Sequence, residues 1–284
     1  MFLPFALTRD IQCLAQHALT MRRDIVNMLG TAGSGHTGGS LSCADLVTAL
    51  YFAELHHDPE QPRWPERDRF ILSKGHAAPA VYSALARTGY FPVETFGSLR
   101  KLGTLLQGHP DMNKTPGIEM STGSLGQGLS VACGMAAAAR MSDQGSRFRV
   151  YALLGDGELN EGQVWEAAMS ASHYGLDNLC ALVDANGLQI DGETCEIMRL
   201  EPLAEKWRAF GWNVLDIDGH DYAAILDALA AARRETRRPT VIVARTVKGK
   251  GVSFTEHQVC WHGIAPNEEQ VCQMLDELGD ESSR

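Results

Sequence analysis

The sequence has 284 residues, of which 44% are hydrophobic and 21% charged, so it is long and apolar enough to bury a sizeable core. Its net charge of −10 argues against nucleic-acid binding. The longest apolar run, residues 131–139, is too short to cross a lipid bilayer.

The cysteines and the N-terminal residues bear on the cellular compartment. Seven cysteines occur without a CxxC pair, which argues against a disulfide framework or a zinc site and favours a reducing compartment. The first ten residues have no basic start and contain Pro4, unlike a signal peptide. We therefore expect a cytoplasmic protein that binds neither nucleic acid nor membranes.

The first half of the chain is predicted to be mostly helical. An amphipathic helix begins near Ile11 and is expected to stop at Gly30, before a glycine-rich loop from Gly33 to Ser40. The remaining predicted elements are a helix over 43–53, a proline-rich loop over 59–65, a short strand over 70–72, a helix over 77–87, irregular chain over 91–117 and a helix over 129–140.

Strands and helices alternate in the second half. Strands are predicted over 151–154, 179–183, 213–217 and 240–244, with helices over 164–173, 203–210 and 222–233. This alternation is typical of a doubly wound α/β fold, a mostly parallel sheet with helices on both faces. We expect one domain over residues 1–284, ending in an acidic C-terminal tail.

Polar residues follow two of these strands. Asp156, between Gly155 and Gly157, comes after the strand 151–154, and Asn186 comes after the strand 179–183. The carboxyl edge of a parallel sheet is where ligands bind. A carboxylate, an amide oxygen and a backbone carbonyl suit Mg²⁺ or Ca²⁺, with diphosphate oxygens completing the coordination. The alternative is that Asp156 and Asn186 are only turn or cap residues.

The segment 33–38 (GSGHTG) formally matches the dinucleotide-binding pattern G-x-G-x-x-G. That pattern requires a preceding strand, and here a long helix is predicted instead. We therefore do not expect NAD or FAD binding.

Histidines recur in short glycine-flanked segments: His36, His76, His109 and His262. Taken singly, each could be an ordinary partly buried histidine. Loops on a rigid scaffold often carry functional residues, and an imidazole can donate to phosphate or transfer protons near neutral pH.

The glycine-flanked motifs together resemble those of the transketolase family. The GDG at 155–157 and Asn186 have the spacing of a thiamine-diphosphate motif. Further matches occur in the family's order: residues 34–36 (SGH), 68–76 (DRFILSKGH), 108–110 (GHP), 122–128 (TGSLGQG) and 261–263 (WHG). The resemblance covers about residues 10–266 and implies the thiamine-diphosphate-binding fold, in its diphosphate domain.

The resemblance also implies roles for individual residues. It assigns the metal to Asp156, Asn186 and the Leu188 carbonyl, and the cofactor diphosphate to His76 and His262, with Gly155 and Gly157 alongside. The reaction centre would be lined by His36, His109 and His262, and the cofactor rings would meet the loop of Gly123, Ser124 and Leu125. Glu161 and Glu166 would form a carboxylate network linking two active sites across an interface, although acids in a first helical turn are also favoured by the helix dipole.

The resemblance further implies a partner. The catalytic glutamate that acts on the cofactor's aminopyrimidine lies on a pyrimidine-binding domain, which we expect on a second chain. The assembly would hold two copies of each chain, related by a two-fold axis. Its expected reaction is transfer of a two-carbon ketol unit from a ketose, or ketose phosphate, to an aldose. The alternatives are another acyloin-forming enzyme, of the deoxyxylulose-phosphate-synthase or sulfosugar-transketolase type, or a non-catalytic regulatory subunit.

Overall fold

A computed structural model describes residues 7–141 and 148–279 of the chain. Its centre is a five-stranded sheet with the order β1-β2-β3-β7-β6, in which every pair of neighbours is parallel. Two two-residue strands pair antiparallel beside it. The strands are β1 Arg69–Leu72, β2 Val150–Gly155, β3 Leu179–Ala185, β4 Leu188–Gln189, β5 Gly192–Glu193, β6 Asn213–Asp218 and β7 Thr240–Arg245.

Helices connect the strands and cover the sheet. They are α1 Ile11–Ala32, α2 Thr37–Ser42, α3 Ala44–Ala49, α4 Ala78–Thr88, α5 Gln127–Met141, α6 Gly162–His173, α7 Thr194–Ile197, α8 Leu203–Ala209, α9 Tyr222–Arg234 and α10 Glu268–Leu278. The chain after α3 continues as a turn of π-helix, Leu50–Glu54.

The sheet separates two hydrophobic clusters. Side chains alternate across a strand, so Leu153 and Leu182 face one cluster while Leu154 and Val183 face the other. The first cluster packs against α1, α3, α4, α9 and α10, and the second against α5, α6 and α8. This confirms the predicted α/β fold with helices on both faces.

Two sequence-based boundaries were wrong. The first helix does not stop at Gly30 but continues to Ala32, and the left-handed Gly33 caps it. Gly30 serves close packing instead, because a Cβ atom there would lie 2.3 Å from Cγ2 of Val271 on α10. The predicted loop 33–40 is shorter than expected, since α2 begins at Thr37. All of α2 is buried, so tertiary packing overrides the weak helix propensity of its glycines.

The parallel register places the polar strand ends together. Gly155 at the end of β2 lies opposite Asp184 in β3, and Ala185 lies opposite Arg245 in β7. The residues that follow these strands, Asp156 and Asn186 among them, therefore meet at one edge of the sheet.

Within the described residues, no helix is both long and apolar enough to cross a membrane. The expectation that the N-terminus is not a signal peptide falls largely on residues 1–6, which lie outside the described residues. The end of the predicted acidic tail, residues 280–284, does so as well.

Candidate functional site

A cavity of about 370 Å³ opens at the carboxyl edge of the sheet. Most of the predicted site residues line it: His36, His76, His109, His262, Gly123, Leu125, Gly155, Asp156, Gly157, Asn186 and Leu188. Ser124 is exposed and does not line the cavity. Glu161 and Glu166 are also exposed, at the start of α6 and outside the cavity.

Asp156 is a buried carboxylate held by backbone groups. It is 4% exposed, and it accepts hydrogen bonds from the Gly157 N–H at 2.8 Å and the Gly187 N–H at 2.6 Å. Burial and the neighbouring Asp184 carboxylate raise the pKa of Asp156 to about 6. Among the residues that the structure describes, no lysine or arginine forms an ion pair with it. Its charge is therefore incompletely compensated, a condition that a bound cation relieves.

Asn186 and Leu188 add two neutral oxygens beside Asp156. The Asn186 amide is oriented by hydrogen bonds, donating from Nδ2 to Asp184 at 3.2 Å and accepting at Oδ1 from the Leu188 N–H at 3.1 Å. An acid, an amide and a carbonyl form the donor set of a hard divalent cation. In the described part of the chain, no cluster of three His, Cys, Asp or Glu side chains offers a different kind of metal site.

The second buried carboxylate, Asp184, already has its counter-charge. The Lys74 ammonium lies 2.5 Å from it, and the Ser42 and Thr246 hydroxyls also donate to it. Burial alone would raise the pKa of Asp184, but Lys74 and these hydrogen bonds hold it below its usual value. The pair supports the floor of the cavity and leaves Asp156 as the acid open to an external cation.

Lys248 is a site residue that the sequence reasoning missed. It follows β7, and its Nζ lies 3.1 Å from the Leu188 carbonyl oxygen and 2.7 Å from Nδ1 of His262. Burial lowers the pKa of Lys248 to about 8. The available signal was a lysine just beyond the carboxyl end of a predicted strand, the same position that indicated Asp156 and Asn186.

Glu158 is a second missed residue, and it organises the loops of the cavity. It is 2% exposed and accepts from the Gly155 N–H at 3.0 Å, the Gly126 N–H at 2.9 Å and the Ser73 hydroxyl. One carboxylate thus ties together the chain after β1, the loop 123–126 and the end of β2. The sequence gives no signal for this role, because an acid near a helix start is commonly exposed.

The four glycine-flanked histidines form one cluster. The ring centroid of His36 lies 5.2 Å from that of His76, 6.2 Å from that of His109 and 5.6 Å from that of His262. Burial, together with nearby cationic groups, lowers the pKa of His36 to about 4 and that of His262 to about 3. The same causes lower the pKa values of His76 and His109. The imidazoles are therefore neutral near pH 7, and each can donate one hydrogen bond and accept another.

Two glycines permit close approaches at the cavity wall. Gly123 has φ +150°, and a Cβ atom there would lie 3.1 Å from the His109 ring. A Cβ atom on Gly157 would lie 2.9 Å from Cβ of Gln189. The sequence therefore needs glycine at both positions to keep the loops against their neighbours.

Comparison with known proteins agrees with this geometry. The sequence profile described as "Transketolase, thiamine diphosphate binding domain" matches residues 14–284. The chain belongs to the transketolase family. The match and the fold confirm the predicted identification as an N-terminal transketolase subunit with a thiamine-diphosphate-binding fold.

Relatives in this family differ in how much of their length the chain spans. It is 48% identical to a 6-deoxy-6-sulfo-D-fructose transketolase subunit of Clostridium sp., covering 95% of this chain and 98% of the relative. It is 44% identical to an apulose-4-phosphate transketolase subunit of Actinobacillus succinogenes, and the match covers 98% of this chain and 99% of the relative. Human transketolase is 38% identical, with 95% of this chain but only 42% of the relative covered.

A solved transketolase has the same architecture. The structure from Campylobacter jejuni superposes with a TM-score of 0.89 at 34% identity, covering 96% of this chain and 44% of that one. The chain thus corresponds to somewhat less than half of this transketolase.

The two buried lysines of the transketolase site should differ in their contributions to stability. Lys74→Met leaves Asp184 buried without its ion-pair partner and should cost about 3–5 kcal/mol of unfolding free energy. Lys248→Met should cost about 1 kcal/mol, because losing a poorly compensated buried ammonium offsets the lost hydrogen bonds. Urea denaturation of the cofactor-free variants measures both. Equal losses would contradict this division of roles.

Proposed function

We propose that this chain is the cofactor-binding subunit of a two-chain transketolase that transfers a two-carbon ketol unit from a ketose to an aldose. The observation that carries the proposal is the buried carboxylate of Asp156, which has no ion-pair partner among the described residues and lies beside the oxygens of Asn186 and Leu188. In a chain of this family, that is the arrangement a metal–diphosphate group needs. The neutral histidine cluster in the same cavity supports catalysis over a purely regulatory role.

The metal would be Mg²⁺, or Ca²⁺, held by the Asp156 carboxylate, the Asn186 side-chain oxygen and the Leu188 carbonyl. The buried charge on Asp156 supports this assignment, because a cation would stabilise its ionised form. Lys248, which forms no ion pair with a carboxylate among the described residues, would attract the diphosphate oxygens that would complete the coordination.

Thiamine diphosphate would be held at its diphosphate end by Lys248, His76 and His262, with Gly155 and Gly157 allowing the backbone close to it. Its rings would meet the loop of residues 123–125, that is Gly123, Ser124 and Leu125. When bound, the cofactor supplies the nucleophilic carbon on which the two-carbon unit is carried. The protein orients the cofactor and excludes water from one side of it.

Three neutral imidazoles would contact the substrate oxygens: His36, His109 and His262. All three rings line the cavity. Because the low pKa values keep these rings uncharged, they can both donate to and accept from a sugar.

The substrates proposed are sugars with an anionic end. Two close relatives carry names that specify a sulfonated ketose and a ketose phosphate. A sulfosugar donor is therefore the second candidate beside an ordinary ketose phosphate. A deoxyxylulose-phosphate-synthase type of reaction draws no support from these relatives.

The partner proposed is a second chain that carries a pyrimidine-binding domain and its catalytic glutamate. Relatives of matching length are named as subunits, whereas single-chain transketolases are more than twice as long. Exposed Met169 and Tyr174 lie on or beside α6, as do Glu161 and Glu166. This face would form the two-fold contact of a cytoplasmic assembly with two copies of each chain, with the two glutamates linking its active sites.

Asp156→Ala and Asn186→Ala should abolish Mg²⁺-dependent binding of thiamine diphosphate while leaving the fold intact, because each removes an oxygen ligand. Isothermal calorimetry with Mg²⁺ and cofactor measures the affinity, and circular dichroism monitors the fold. Asp191→Asn is the matched control, since Asp191 is an exposed acid at the same cavity. Unchanged affinity in both alanine variants would refute the metal site.

His36→Ala and His109→Ala should bind the cofactor normally but turn over more slowly, by about 10²–10³-fold, as is typical when one preorganised polar group is removed from a reaction centre. The measurement is steady-state ketol transfer in the presence of the partner. His56→Ala, at an exposed histidine that does not line the cavity, should be unaffected. A wild-type rate for either site variant would remove that histidine from the mechanism.

The purified chain alone should have no transketolase activity, because a positioned acid–base group contributes roughly 10²–10⁴-fold and the proposed glutamate lies on the partner. Mixing it with the pyrimidine-domain chain should restore ketol transfer and tighten cofactor binding together. The assay compares the two lone chains with the mixture. Robust turnover by this chain, free of any partner, would overturn the two-chain proposal.

A further inference from the structure

Asp45 is a buried carboxylate that does not line the cavity. It lies on α3, is 4% exposed and accepts hydrogen bonds from three side chains. Arg22 forms a bidentate pair with it at 3.1 and 2.6 Å, His220 Nδ1 lies at 2.6 Å and the Tyr222 hydroxyl at 3.0 Å. Four hydrogen bonds to one buried acid specify the orientation of each donor.

Two of these side chains also form hydrogen bonds with the backbone of one short turn beyond β7. The Val247 N–H donates to Nε2 of His220 at 2.9 Å, and Nε of Arg22 donates to the Lys250 carbonyl at 3.1 Å. Because Nε2 accepts a hydrogen bond, the neutral ring must carry its proton on Nδ1, where Asp45 accepts it. Asp45 therefore fixes the tautomer of His220 as well as its position.

The turn held in this way contains Lys248. The Lys250 N–H closes it on the Val247 carbonyl at 3.2 Å, and the Gly249 N–H donates to the Gly38 carbonyl at 3.0 Å. Both ends of the turn thus connect to Asp45, one through His220 and the other through Arg22. The lysine between them points its Nζ at the Leu188 carbonyl and His262 inside the cavity.

We propose that Asp45, acting through Arg22 and His220, is a positioning residue that clamps the turn 247–250 and so places Lys248 against the cofactor. The inference rests on the proposed function, in which Lys248 faces the cofactor diphosphate. The hydrogen bonds that form the clamp lie entirely within this chain and need no bound cofactor. Outer contacts of this kind typically change affinity by about 10–100-fold when they are removed.

The clamp has two arms, one from Asp45 through His220 and one from Asp45 through Arg22. The test removes the arm through His220. His220→Leu deletes the acceptor for the Val247 N–H, whereas His220→Gln keeps an acceptor near the position of Nε2. Tyr222→Phe is the matched control, because it removes one donor to Asp45 and leaves both arms in place. Each protein is studied by hydrogen exchange of peptides over residues 244–251, by calorimetry with thiamine diphosphate and Mg²⁺, and by thermal unfolding.

His220→Leu should exchange severalfold faster over residues 244–251, with β2 and β3 unchanged, and should bind the cofactor about tenfold more weakly. His220→Gln should recover most of both properties, and Tyr222→Phe should resemble the wild type in both. Unchanged exchange in His220→Leu overturns the clamp. Faster exchange with unchanged affinity overturns its role in the site.

A merely structural role would give a different pattern. His220→Leu and Tyr222→Phe would then weaken binding in proportion to their loss of thermal stability, without rescue by glutamine, and that result would also overturn the proposal. If the wild-type chain, with or without its partner, bound no thiamine diphosphate, the proposed function would fail. Hydrogen exchange would still decide whether His220 holds the turn.

Discussion

The structure of the cavity depends on two buried carboxylates that the pairing of β2 with β3 brings together. Asp184 lies opposite Gly155, so Asp156 follows directly beside it. Two adjacent acids cannot both be buried and ionised without compensation. Lys74 neutralises Asp184, whereas no lysine or arginine among the described residues forms an ion pair with Asp156, and burial beside Asp184 raises its pKa. That asymmetry distinguishes a structural acid from one suited to an external cation.

The two lysines of the cavity differ in the same way as the two acids. Lys74 is committed to an ion pair, whereas Lys248 donates to a backbone carbonyl and contacts a neutral imidazole, and its pKa is lowered. Both ammonium groups disfavour protonation of the nearby histidines, in addition to the effect of burial. Among the described residues, Lys248 is therefore a buried ammonium without a carboxylate ion-pair partner, and it lies beside uncharged imidazoles, which suits an anionic ligand.

Two further buried acids set the geometry of the cavity. Glu158 holds the loops that follow β1 and β2, and Asp45 holds the turn that follows β7. Glu158 accepts directly from two backbone N–H groups, and Asp45 is linked to the backbone through Arg22 and His220. Burial makes such interactions strong and directional, and their loss costly.

The sequence by itself determined the fold class, the family and most of the cavity lining. Predicted strands that alternate with predicted helices indicate a parallel sheet. Polar residues just after strands, such as Asp156 and Asn186, indicate its ligand-binding edge. Both signals are local in the sequence. It could not reveal that α1 passes through Gly30, since that depends on the small gap left for Val271 of a distant helix.

Only the tertiary structure decided which buried charges pair. Lys74 and Lys248 are both lysines in glycine-containing loops, and nothing in their local sequence separates the one that neutralises Asp184 from the one that faces Leu188 and His262. The same holds for Glu158 and Asp45, whose partners are up to 177 residues away in the chain. Pairing in a low-dielectric interior depends on distances between elements, and those distances exist only once the sheet and its helices have packed.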